Sequence, residues 1–162
     1  MKIKAEKLTK NNFGEFGSFY DPNDTGLPLA GEWGRNNFFP DRLVLKVPCG
    51  SLVGVSTTTI NPAPLKIEAT EWHETEEAIG GFTEDTVFHV GLPTWTNKPD
   101  FSKYKVFYLP KGWWVRTKRG VWHFGPFVLG DKSAVGTVIL PPSTYTCDCT
   151  YVTLDVPIEI EA

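Results

Sequence analysis

The sequence predicts an all-β protein, an antiparallel barrel or sandwich carrying one short helix near its N-terminus. Three observations lead there. The 162 residues include fifteen glycines, thirteen prolines and twenty-two aromatics, a composition that interrupts helices and supplies turns. Short β-branched or alternating runs recur along the chain, each bounded by Gly, Pro, Asn or Asp. Helical spacing is confined to Phe13, Phe16 and Phe19, and Gly14 and Gly17 keep that helix brief. The length suits a single domain over 1–162, large enough to bury a core without disulfides.

The elements follow in order. Residues 2–8 alternate Ile3 and Ala5 with Lys2, Lys4 and Glu6 and read as a first strand at a sheet edge. Thr9 is placed to cap the helix. Residues 20–40 are rich in Gly, Pro, Asn and Asp and read as a loop long enough to serve a function or a dimer contact. Strands are expected at 43–47, 52–60 and 65–73, separated by Pro48-Cys49-Gly50 and Asn61-Pro62-Ala63-Pro64. Further strands are expected at 86–90, 104–109, 133–140 and 145–156. Between them lies 110–123, which gathers Trp113, Trp114 and Trp122 with Lys111, Arg116, Lys118 and Arg119. Gly112 and Gly120 mark its turns, so it reads as a basic hairpin between two short apolar strand ends, aiming His123 inward.

Composition also excludes. A net charge of −3 gives no overall field to attract nucleic acid. Apolar runs fall well short of the ~20 residues that span a bilayer. The N-terminus mixes charged and apolar residues from the start, unlike a signal peptide, so a cytoplasmic location is expected, with no nucleic-acid or membrane partner. Three cysteines are too few and odd in number for a disulfide framework. Cys147 and Cys149, two apart, would share one face of a strand as reduced thiols.

Two groups of residues carry chemistry. In Glu71-Trp72-His73-Glu74-Thr75-Glu76-Glu77, period two puts Glu71 and His73 on one strand face, and the following turn folds Glu77 back toward them. Imidazole and carboxylate together suit a divalent transition ion such as Mn, Fe, Ni or Zn, and His123 offers a further ligand. The alternative is a solvated acidic turn beside a histidine satisfied at a strand end. Arg116, Lys118 and Arg119 offer a clamp for an anionic substrate, or a solvated basic hairpin. Trp114 and Trp122 would wall a pocket, or fill the core. His89, within Val87-Phe88-His89-Val90, is a candidate pocket residue, although a histidine on an apolar strand is more often a hydrogen-bonded core group.

With these residues in place the chain resembles the cupins. Gly112, five residues, Lys118 where the motif has Pro, Arg119, Gly120, two residues and His123 follow the spacing of the second cupin motif. Glu71 in place of a first His, then His73 and Glu77, follow the first. More narrowly the chain resembles the ureidoglycolate lyase family, through residues 8–17, the strand ending Glu71-Trp72-His73, the turn Asn97-Lys98-Pro99-Asp100-Phe101, and Arg119-Gly120-Val121-Trp122-His123 followed by Pro126-Phe127. That resemblance implies a dimeric cupin-type barrel, a double-stranded β-helix or jelly roll, cleaving ureidoglycolate to glyoxylate and urea in allantoin catabolism. It implies a divalent metal held by Glu71, His73, Glu77 and His123, with His123, Lys118 and Arg119 catalytic and Arg116, Trp122, Trp114 and His89 around the small-molecule substrate. Thr57 and Phe124 stand where the family carries Arg and His. Two other readings stay open: a cupin acting on another small polar molecule, as a sugar isomerase or epimerase, and a non-catalytic ligand-binding dimer.

Overall fold

In the computed structural model, which describes residues 1–29 and 37–162, the regular secondary structure is nearly all strand. The order is β1 (Lys2–Lys7), α1 (Lys10–Phe13), β2 (Gly17–Tyr20), β3 (Gly54–Ile60), β4 (Lys66–Trp72), β5 (Glu77–Gly80) and β6 (Thr86–Gly91). After a 3₁₀ turn at Phe101–Lys103 come β7 (Lys105–Leu109), β8 (Trp114–Thr117), β9 (Trp122–His123), β10 (Phe127–Val128) and β11 (Ala134–Leu140). A second short helix, α2 (Thr144–Cys147), precedes the long final strand β12 (Thr150–Glu161).

The strands form two sheets. The larger runs β10-β6-β7-β1-β12-β4-β9, and β9 pairs again with β6. That extra pairing, Val90 opposite His123 and Gly91 opposite Trp122, closes the sheet into a ring and leaves fewer exposed edges. The smaller sheet runs β2-β8-β5-β11-β3. The all-β barrel class expected from the sequence is therefore what the chain forms.

Each strand's alternation divides its residues between two cores. On β6 and β7, Phe88, Val90, Phe107 and Leu109 face the second sheet, where Phe13, Phe16, Ile79, Phe82 and Val115 meet them. Val87 and Val106 face the other way, toward Ile67, Tyr104, Trp122, Ile158 and Ile160. Phe13, Phe16 and Phe107 are fully buried, with Phe13 and Phe107 edge to face at 5.3 Å.

Several local expectations change. β1 is not an edge: it pairs in parallel with β12 on one side and β7 on the other, so the barrel is mixed rather than antiparallel throughout. Its alternation is that of any half-buried strand and cannot tell an edge from an interior position. Thr9 does cap α1, accepting from the Asn12 amide at 3.2 Å while the Asn12 side chain accepts from the Thr9 amide at 2.9 Å. The helix stops at Phe13, however, and Phe19 sits on β2. Residues 43–47 form no strand, and the expected strand at 145–156 begins as α2 instead, behind Pro141 and Pro142. Residues 110–123 are not a hairpin: β8 belongs to the smaller sheet and β9 to the larger, so the turn between them carries the chain across the barrel. The expected long loop at 20–40 includes 30–36, which lie outside the described residues.

Candidate metal centre

The crossing at Lys118 to Val121 places His123. Gly120 holds φ +76, a left-handed conformation that favours glycine, and its amide donates to the His73 carbonyl at 2.9 Å. β9 then enters beside β4 with Glu71 opposite His123. On the β4 side, His73 lies just past the strand end, and the short turn at 74–76 brings Glu77 back as the first residue of β5. Two imidazoles and a carboxylate thus converge from three elements on two sheets.

The geometry is tight. His73 Nε2 lies 3.5 Å from Glu77 Oε2, and His123 Nε2 lies 3.6 Å from Glu77 Oε1. The imidazoles stand nearly perpendicular, with centroids 5.0 Å apart. All three residues are buried, and their ligand atoms lie within 4.8 Å of one another. The outer nitrogens are tied down: His73 Nδ1 donates to the Thr75 carbonyl at 2.9 Å and His123 Nδ1 to the Val121 carbonyl at 2.8 Å. A carbonyl only accepts, so each Nδ1 carries the hydrogen, and in its neutral form each ring turns its Nε2 lone pair toward Glu77. At 3.5 and 3.6 Å neither approach is a formed hydrogen bond, and among the described residues both Nε2 atoms lack a partner.

Three buried acceptors that face one another need positive charge between them. Burial alone would raise the pKa of Glu77, but attraction to His123 and His73 overcomes it and pulls the carboxyl down to about 2. Burial would lower His123, and the Glu77 carboxylate reverses that, raising it. A proton on one ring answers part of the need; a divalent transition ion answers all of it. Two donors bound at ~2.1 Å in a tetrahedral site sit about 3.4 Å apart, close to the two imidazole–carboxylate separations of 3.5 and 3.6 Å. The residues present therefore fit such an ion.

The other expected site residues lie elsewhere. Glu71 lines the same cavity but stands outside the three-residue cluster; its Oε2 accepts from the Cys149 thiol at 3.0 Å. Lys118 turns its ammonium to the Gly14 and Glu15 carbonyls at 2.7 and 3.1 Å, closing the end of α1. Arg119 pairs with Glu74 at the surface. Arg116 pairs with Glu76 at 2.7 Å and donates to Ser18. Trp122 is core, edge to face with Trp72 at 6.1 Å, and the Trp114 ring lies over Gly80 and Gly81. His89 is fully buried, stacked on Tyr104 at 6.0 Å, and neither ring nitrogen has a hydrogen-bond partner among the described residues.

Above the cluster opens a cavity of about 370 Å³, at the small end of the ~300–1,000 Å³ typical of ligand sites. Ile60, Ile79, Phe124, Val138 and Leu140 supply apolar walls, and Ser56, Thr58 and Tyr145 add hydroxyls. Tyr145 and the β3 hydroxyls carry no motif that pointed to them; Cys149, expected to share a strand face with Cys147, lies instead between α2, which Cys147 ends, and β12. A larger recess of about 500 Å³ lies near Lys7, Asp85, Tyr108 and Trp113, but neither histidine nor cysteine lines it. No helix among the described residues is long and apolar enough to cross a membrane.

Fold and site together define a class: a closed β-barrel with a buried imidazole–carboxylate–imidazole cluster at the base of a small cavity. No family model matches the chain, and no curated protein matches it. Among solved structures, an oxalate decarboxylase studied for its substrate binding mode and a reaction specificity switch overlays it at 15% identity and TM-score 0.43, covering 64% of this chain and 24% of that one. A mutant of the Bacillus subtilis oxalate decarboxylase overlays it at 13% identity and TM-score 0.40, covering 76% and 33%. The chain thus spans between a quarter and a third of those proteins' length, and at these scores the likeness says nothing of activity or ligand.

Proposed function

We propose that this chain is a cupin-type metalloprotein that holds a divalent transition ion on His73, Glu77 and His123 and acts as an enzyme on a small molecule entering the cavity above them. One observation carries the reading: three buried acceptors, two with their outer nitrogens fixed by backbone carbonyls, aimed at one point. The spacing of the two cupin-like motifs supports it independently. A bound ion would supply Lewis acidity, polarising an oxygen of the incoming molecule. The protein's own groups do the rest. Thr75 and Val121 hold the rings in one tautomer, and Glu77 contributes the negative charge.

Ureidoglycolate cleavage to glyoxylate and urea is the finer form of this reading, and it rests on the sequence resemblance alone. It requires a cation to offset the substrate carboxylate, whereas Arg116, Lys118 and Arg119 are each engaged away from the cavity. Elemental analysis of the purified protein tests the metal reading: about one divalent ion per chain is expected, with affinity falling at least about tenfold in His123→Ala and in Glu77→Gln. A wild-type protein that neither retains nor takes up Mn, Fe, Ni or Zn would sink the proposal and favour a non-catalytic binding barrel.

A further inference from the structure

We infer that the cavity selects an uncharged, largely apolar small molecule that presents an oxygen donor to the cluster, and that it rejects small carboxylate anions. The donor's role rests on the metal reading above; the charge preference does not.

Two carboxylates, Glu71 and Glu77, line the cavity, and among the described residues no lysine or arginine does. Without an ion the lining is net negative. A divalent ion brings the two carboxylates and itself to neutrality, leaving no surplus positive charge for an anionic ligand. Sites that recognise carboxylates usually supply a guanidinium fork or an ammonium. Here each candidate cation is committed elsewhere: Arg116 to Glu76 and Ser18, Lys118 to backbone carbonyls of the α1 end, and Arg119 to Glu74.

The remaining walls match an apolar body. Ile60, Ile79, Phe124, Val138 and Leu140 make up the apolar lining. Ser56, Thr58 and Tyr145 provide hydroxyls that donate to or accept from a neutral amide, carbonyl or alcohol. The Cys149 thiol, spent as a donor to Glu71, adds no charge and keeps that carboxylate at the wall. An anion would sit against two carboxylates beside a partly apolar wall, where like charges are screened less than in bulk water.

Matched ligand pairs that differ only in charge test this directly: mandelamide against mandelate, and lactamide against lactate, titrated into the full-length protein by calorimetry, with metal content measured on the same sample. The amide is expected to bind at least about tenfold more tightly in each pair. Thr58→Lys, which adds a cation to the wall, is expected to narrow or invert that preference while leaving metal content unchanged. Equal or tighter binding of the carboxylates, no binding of any of the four compounds, or a preference unmoved by Thr58→Lys overturns the inference. Absence of metal in a sample that still prefers the amides overturns the metal reading and leaves the charge preference standing.

Discussion

His89 and His123, from neighbouring strands of one sheet, are pushed in opposite directions by their surroundings. His123 meets a carboxylate, and its pKa rises despite burial. His89 packs against the Tyr104 and Phe127 rings and has no hydrogen-bond partner among the described residues; burial, aided by the charge of His123, takes it down to about 3. The signs follow. A folded pKa above the unfolded one stabilises below the unfolded value and loses that contribution as pH rises, which is the His123 case. A depressed histidine does the reverse: between its folded pKa and about 6.5 the unfolded chain binds the extra proton, so stability falls as pH falls. Between about pH 7 and about pH 5, urea unfolding of the wild type should lose about 2 kcal/mol more than that of His89→Phe. Equal losses would mean that His89 is charged or hydrated inside the fold. Cys149 gives a second residue-level expectation. Burial first, then its bond to Glu71, raise its thiol to about 12, whereas Cys49 and Cys147 are exposed. At neutral pH iodoacetamide should label Cys49 and Cys147 on the order of a hundredfold or more faster than Cys149, read by peptide mass mapping.

The crossing between β8 and β9 is the element on which the site depends most. It holds Lys118 against the end of α1, Arg119 against Glu74 and the Gly120 amide against His73, so one tight turn fastens the helix, the acidic turn and the first imidazole to the strand that bears the second. Gly120→Ala forces a Cβ into a left-handed conformation, 3.3 Å from Pro93 Cγ. It should cost about 1–2 kcal/mol of stability in denaturant titration and lower metal affinity along with it, because His123 lies three residues on. A variant that lost stability but kept full affinity would show that β9 is placed by its pairing with β4 and β6 alone. Sequence spacing marked this stretch as important and put the turn at the right glycine. It could not say that the two arms join different sheets, because a hairpin and a crossover share the same turn chemistry.

At the scale of the molecule, the ring closed by β9 on β6 ties the site to global stability. β9 is only two residues long, yet it bridges β4 and β6 and carries the second imidazole. An ion shared by His73, Glu77 and His123 would pin both sheets together at that closure. Removing it with a chelator should lower the melting temperature by about 5–10 °C for an ion present at roughly a hundred times its dissociation constant. His123→Ala should be insensitive to the same treatment, which differential scanning calorimetry would show.

The sequence by itself determined that this chain is built mostly of short strands, that a tight turn falls at Gly120, that Thr9 caps a helix, and that Glu71, His73, Glu77 and His123 are the residues to watch. Those are local facts: alternation, turn chemistry and motif spacing are written within a few residues of where they act. Pairing, register and charge balance were decided only by the tertiary structure. β1 runs parallel between two strands drawn from distant parts of the chain, Glu71 turns to a thiol 78 residues away, and the basic residues of the tryptophan-rich stretch spend their charge outside the cavity. Each outcome is a competition among partners far apart in the chain, settled by which contacts close the barrel with the fewest buried groups left unpaired.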